Sequence, residues 1–171
     1  MATTYEKIAA VIVGAGGASS IDFTSIPSTF TDLVLKVSAR GTSADGSAPE
    51  LSTLISINGS GTGSHRFIYA NGSAAYSSSN GSVLWTYTNG NTTTASTFGN
   101  LEIYFPNYAS TTTYKSYSID AVVENNATAN SLSLDAGLVS NNAAISRVTL
   151  TPNSGSFVQH STATLYGVKS S

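Results

Sequence analysis

The sequence predicts an all-β protein, a two-sheet antiparallel β-sandwich of jelly-roll type, in one domain over residues 1–171. Three observations carry this. Apolar and polar residues alternate with period two in one segment after another, which is how a strand with one packed and one wetter face reads. Turn signals separate these segments at intervals of roughly 8–15 residues, the spacing of sandwiches and barrels. Charged residues make up only 9% of the chain, and Ser, Thr, Asn and Gly carry the polarity instead, so strong helix formers are few.

The chain is organised around residues 20–41, SIDFTSIPSTFTDLVLKVSARG. A short strand with Ile21 and Phe23 leads into a corner at Ile26-Pro27-Ser28. Pro27 fixes its own φ, pushes Ile26 toward extended geometry and has no N–H to give to a ladder, so it belongs between strands. The longer strand after it points Leu33, Leu35, Val37 and Ala39 one way and Val34, Lys36, Ser38 and Arg40 the other.

Ahead of this lies Tyr5–Val13, with apolar residues on both faces toward its end. It is expected either between two layers or with one face against another subunit. GAGG at Gly14–Gly17 is a turn, because no helix follows it to make a phosphate loop.

Beyond it, Asp45-Gly46 and Pro49 mark a loop before the strand Leu51–Asn58. Asn-Gly pairs at Asn58, Asn71, Asn80 and Asn89 then suggest hairpin turns, since Asn-Gly accepts the positive φ angles of a type I′ turn. His65–Ala70 and Ser82–Thr88 are strands between them. The remaining strands are Phe98–Phe105, Tyr114–Val123, Ser131–Val139, Ile145–Thr151 and Phe157–Lys169. The alternation selects Leu35, Val37, Leu101, Ile103, Leu132, Leu134 and Leu165 as core.

Composition limits function. The chain holds no cysteine, which excludes disulfide frameworks and thiolate metal sites. Its net charge is −2 and its basic residues are scattered, so phosphate neutralisation has no patch to work from and no nucleic-acid partner is expected. No apolar run reaches membrane-spanning length, so no membrane partner is expected. The N-terminus lacks the charged leader of a signal peptide, and synthesis in a cytoplasm followed by assembly is expected.

Chemistry is sparse. His65 and His160 lie far apart, no G-x-S-x-G elbow accompanies them, and both read as surface or interface histidines. Asp32 reads as serving the turn after Phe30. No metal-ligand spacing is present. No catalytic residue, metal or cofactor is therefore expected, and the protein is not expected to be an enzyme. Aromatics are the stronger signal: Trp85 shares a strand face with Tyr87, and Phe67 with Tyr69. Tyr69, Trp85 and Tyr87 are candidate contacts for a glycan or partner, against the alternative that they are packing residues. Val11, Ile12 and Val13 are candidate contacts with another subunit.

Taken whole, the chain resembles a family of small all-β virion proteins of tailed bacteriophages from marine and cyanobacterial hosts. The resemblance rests on YEKIAAVIVG, the 20–41 segment, LEIYFPNY, the ENNATA loop and the stretch LDAGLVSNNAAISRVTLTPNSGSFVQHSTATLYGVK. It implies a structural role on the virion. The expected function is capsid decoration as a cement protein on the outer shell, in contact with the major capsid protein, which makes Val11, Ile12 and Val13 candidate capsid contacts as well. The alternative is a tail fiber component that binds host-surface glycan. A homotrimer is expected from the three-fold sites of shells and fibres.

Overall fold

The computed structural model describes residues 5–46, 48–80, 83–126 and 130–169. They form twelve strands and no helix. In chain order these are β1 (Tyr5–Ile12), β2 (Ile21–Phe23), β3 (Asp32–Ala39), β4 (Glu50–Ile57), β5 (Ser64–Ala70), β6 (Ala75–Asn80), β7 (Trp85–Asn89), β8 (Gly99–Phe105), β9 (Lys115–Val123), β10 (Ser131–Val139), β11 (Val148–Pro152) and β12 (Thr162–Val168). One sheet has eight strands in the order β1-β12-β3-β8-β9-β10-β5-β6, and the other has four in the order β2-β11-β4-β7. Every pairing is antiparallel.

The order contains a jelly roll. β1 pairs with β12, β2 with β11, β3 with β8 and β4 with β7, as in one long antiparallel ribbon wound on itself. The winding lays β1-β12-β3-β8 against β2-β11-β4-β7, eight strands in two sheets. Two insertions extend the larger sheet on one side. The β5–β6 hairpin enters between β4 and β7, and β9–β10 between β8 and β11.

The core lies between the sheets. Leu33, Leu35, Val37, Leu101, Ile103, Phe105, Ile119, Ala163 and Leu165 come from the large sheet, and Ile21, Phe23, Ile55, Ile57, Val148 and Leu150 from the small one, all buried. Five of the seven expected core residues are therefore there. Leu132 and Leu134 are not: they are 47% and 51% exposed. On β10 the other set faces inward, and Ser131, Ser133 and Asp135 are buried.

The 20–41 segment does hold the molecule together. Ile26 is buried, and the Pro27 carbonyl accepts a hydrogen bond from the Tyr108 hydroxyl. Phe30 packs on Gly167, where a Cβ would sit 2.2 Å from its ring. Asp32 accepts from Asn107 N at 2.8 Å and Tyr104 Oη at 2.9 Å. It thus caps the remote 106–109 turn rather than its own. Arg40 donates to loop 91–97: Nη1 to Thr93 Oγ1 (2.5 Å) and Thr94 O (2.8 Å), Nη2 to Asn91 O (3.2 Å) and Thr93 O (2.9 Å). Hydrogen bonds from a charged donor contribute about 1.5–3 kcal/mol each, though released carbonyls regain water. Arg40→Met is expected to lower stability by about 2 kcal/mol and to open loop 91–97 to limited proteolysis while the rest of the chain stays resistant.

Turns and boundaries differ from expectation in identifiable ways. Asn58 (φ 52°) and Gly59 (φ 82°) form the expected turn, but it closes only the Ile57–Ser60 bridge, because β4 and β5 belong to different sheets. Asn71-Gly72 does join a hairpin, β5 to β6. Asn89 is buried, with Nδ2 donating to Thr97 Oγ1 and the Glu124 carbonyl, and ends a strand instead of turning a hairpin. Gly81 and Ser82, and residues 127–129 of the ENNATA loop, lie outside the described residues. β11 starts at Val148 and β12 at Thr162, later than expected. Between the expected strands His65–Ala70 and Ser82–Thr88, the serine-rich β6 is a further regular strand.

Candidate functional site

The expected aromatic residues converge. β7 places Thr86 and Thr88 in the buried interior and Trp85 and Tyr87 on its opposite face. The extended sheet curls past β7, an edge of the small sheet, and brings β5 against that face. Ring centroids lie 4.9 Å apart for Trp85–Tyr87, 5.0 Å for Phe67–Trp85 and 5.5 Å for Tyr69–Tyr87. All three contacts are edge-to-face, the geometry ring quadrupoles favour. Tyr69, Trp85 and Tyr87 are half-buried, so the row is packed on itself and shows solvent only part of its surface. The Tyr69 hydroxyl donates to Glu50 Oε1, whose residue is buried. Burial, then the Glu50 carboxylate, raises the Tyr69 pKa well above the phenol range. Burial also pushes Tyr87 up to about 12, aided by Glu50, Asp45 and Asp135. Both phenols remain proton donors under physiological conditions.

Behind this row lies a buried polar group. His65, expected at a surface or interface, is fully buried. Its Nε2 lies 3.1 Å from Asp135 Oδ1, and Ser133 Oγ donates to Asp135 Oδ2 at 2.9 Å. A carboxylate only accepts, so the imidazole proton facing it is on Nε2. Serine thus binds the carboxylate and not the imidazole, which removes the hydroxyl from a nucleophile's position. Gly137 pairs with both His65 and Tyr117. A Cβ there would sit 2.2 Å from the Tyr117 hydroxyl, so only glycine lets Tyr117 lie across β10. Burial, reinforced by the Asp135 charge, raises the Tyr117 pKa. The sequence signal for this group was a glycine in mid-strand, which marks close approach, opposite a strand carrying His65, Phe67 and Tyr69.

The outer face of the large sheet explains the exposed leucines. Cross-strand register sets Ile12, Thr162, Ser38, Asn100, Val122, Leu132, Ala70 and Ala75 in one row. The next row runs Ala10, Thr164, Lys36, Glu102, Asp120, Leu134, Ile68 and Ser77. Its centre is polar, with Lys36 and Glu102 paired at 2.9 Å. Its ends are apolar. Ile12 is 74% exposed at one end, and Ile68, Leu132, Leu134 and Leu138 are exposed at the other. A shallow groove of about 600 Å³ lies there, lined by Arg66, Ile68, Ser77, Ser79, Leu134 and Ala136.

The three candidate contacts near the N-terminus therefore separate. Val13 is buried and Val11 packs against the core, while Ile12 alone faces outward. β1 is an edge strand, paired only with β12, not a strand between two layers. His160 is exposed in the turn before β12, with its N–H on the Val13 carbonyl at 3.0 Å, and is not part of the strand. Among the described residues no group of three His, Cys, Asp or Glu side chains is placed to hold a metal ion.

No family model, no curated protein and no solved structure matches this chain.

Proposed function

We propose that this protein is a structural subunit of a bacteriophage virion, a decoration (cement) protein bound to the outer capsid shell through the major capsid protein. The observation that carries this reading is the exposed apolar face of β5 and β10, with Ile68, Leu132, Leu134 and Leu138 on one side of a sheet. Apolar side chains contiguous on a charge-poor surface suit contact by area, because few Lys and Glu must be desolvated. The sequence resemblance points to the same class, and jelly rolls serve in viral capsids as well as in lectins. Fold alone does not assign function, so the weight rests on this face.

Ile12, at the opposite edge, is the second apolar contact, and a three-fold arrangement of copies about the shell would use it. Purified protein added to particles stripped of it is expected to co-sediment with them. Leu134→Lys is expected to weaken that binding at least tenfold and Ile12→Lys to weaken it less, with circular dichroism unchanged in both. Wild-type binding by the Leu134→Lys protein would remove the basis of the reading.

A second reading, a tail fiber module for host-surface glycan, is favoured by the convergence of Tyr69, Trp85 and Tyr87 beside Glu50. Half-exposed aromatic rings are what a sugar ring stacks on, and Glu50, buried behind them, holds the Tyr69 hydroxyl in place. The chain holds one tryptophan, so titration with host lipopolysaccharide oligosaccharide is expected to change its fluorescence under this reading and to leave it unchanged under the first.

A further inference from the structure

The two edges of the eight-stranded sheet are not equivalent. β1 carries Glu6 and Lys7, and its register with β12 breaks at a bulge between Lys7 and Ala9. Charges and bulges are how natural sheets keep an edge from pairing with another chain. β6, at the other edge, has neither. Its sequence is AYSSSN, without charge or proline, and it pairs with β5 in unbroken register from Ala75 to Asn80. Its outward backbone groups form an open ladder.

We propose that β6 pairs antiparallel with β6 of a second copy of this chain, across a two-fold axis perpendicular to the sheet. Complementarity selects a second copy. Such an axis keeps the outer face of both copies on one side, and directly opposed residues in an antiparallel pair share a face. Ser77 and Ser79 are on the outer face, in the rows of Ile68 and Arg66, and Ser78 is on the inner face beside Phe67. The registers that pair most of β6 put the axis at Ser77 or at Ser78: the first opposes Ser77 to Ser77, the second Ser78 to Ser78 and Ser77 to Ser79, with no like charges opposed in either. Cross-strand Ser and Thr pairs of this kind are favourable, whereas a charged partner strand would find no counter-charge on β6.

The pairing is isologous, so it closes at two copies, and the guarded β1 edges end the joined sheet at both sides. It also sets the Ile68 and Leu134 faces of the two copies on the same side, as one wider apolar surface. The inference does not depend on the protein's place on a virion. It also uses the edge opposite Ile12, so it is compatible with a three-fold contact there.

Sedimentation equilibrium of the full chain measures this. One chain is 17.5 kDa, so the expected species is a dimer of about 35 kDa, twice that mass, or a hexamer if the three-fold contact also forms. The double variant S77E/S79E opposes like charges in both registers, while Arg66 beside Ser79 accommodates the new carboxylate within each copy. It is expected to halve the dimer to a monomer, or reduce the hexamer to a trimer, with unchanged circular dichroism. Because exposed charges are screened within about 3 Å at 1 M salt, high salt is expected to restore the larger species. Ala10→Glu, on the β1 edge, is expected to leave it intact. A wild-type monomer or trimer at about 100 μM, where even a dimer with a Kd of about 10 μM is mostly assembled, overturns the proposal, as does an S77E/S79E protein of unchanged mass. Should S77E/S79E lose its native circular dichroism, Ser77→Pro, which removes one outward N–H at the edge and leaves the bonds to β5 in place, replaces it with the same expected and overturning results.

Discussion

Asp135→Ala is expected to lower the stability of this protein by about 2–6 kcal/mol, since it strands two buried donors at about 1–3 kcal/mol each. His65 and Asp135 have no exposed side-chain surface, so water does not replace the carboxylate without opening the sheet. His65 Nε2 and Ser133 Oγ both lose their acceptor. His65 Nδ1 and the Tyr117 hydroxyl already lack partners, so the surroundings offer no alternative bond. Asp135→Asn keeps the shape and one carbonyl acceptor and is expected to cost less than Asp135→Ala. The measurement is urea denaturation followed by fluorescence of Trp85, whose ring lies 5.2 Å from His65. The midpoint is expected to fall with an unchanged slope, the mark of altered stability rather than altered compactness. A shift of under about 0.5 kcal/mol, the range of ordinary surface substitutions, would show that this group does not stabilise the fold.

A pair of leucine truncations is expected to separate core from contact surface. Leu165 is fully buried between β1 and β3, and Leu165→Ala is expected to cost about 2–5 kcal/mol through lost burial and the cavity left behind. Leu134 has the same chemistry and also sits in an alternating strand of the same sheet, yet it is 51% exposed. Leu134→Ala is expected to change stability by no more than about 0.5 kcal/mol while lowering affinity for the shell. Thermal or urea unfolding of both variants reads the first difference and particle co-sedimentation the second. If Leu134→Ala proved as costly to folding as Leu165→Ala, β10 would be packed on its outer side and the proposed contact surface would not exist.

The sequence by itself determined the class of this fold. Period-two alternation over β3, β8, β9 and β12 fixed which of Leu33, Leu35, Leu101, Ile103 and Leu165 share a face, because only one face of those strands is apolar. Pro27 and Asn58-Gly59 fixed corners, because few residues take those backbone angles. It also brought Tyr69, Trp85 and Tyr87 forward as a set.

What only the tertiary structure decided is which side of a strand is inside when both sides have a claim. β10 reads leucine against serine, and burial energy favours the leucines inward. Across from β10, though, His65, Phe67 and Tyr117 occupy the interior and need small or hydrogen-bonding neighbours, which Ser133, Asp135 and Gly137 supply. In the same way Val11, Ile12 and Val13 are alike as residues, and only the pairing of β1 with β12 turns two inward and leaves Ile12 in solvent. Serine-rich β6 is a strand because β5 offers it a ladder, a partner 5 to 15 residues away that no local propensity encodes. Local pattern specifies faces, and the choice between faces belongs to the neighbours that long-range pairing brings.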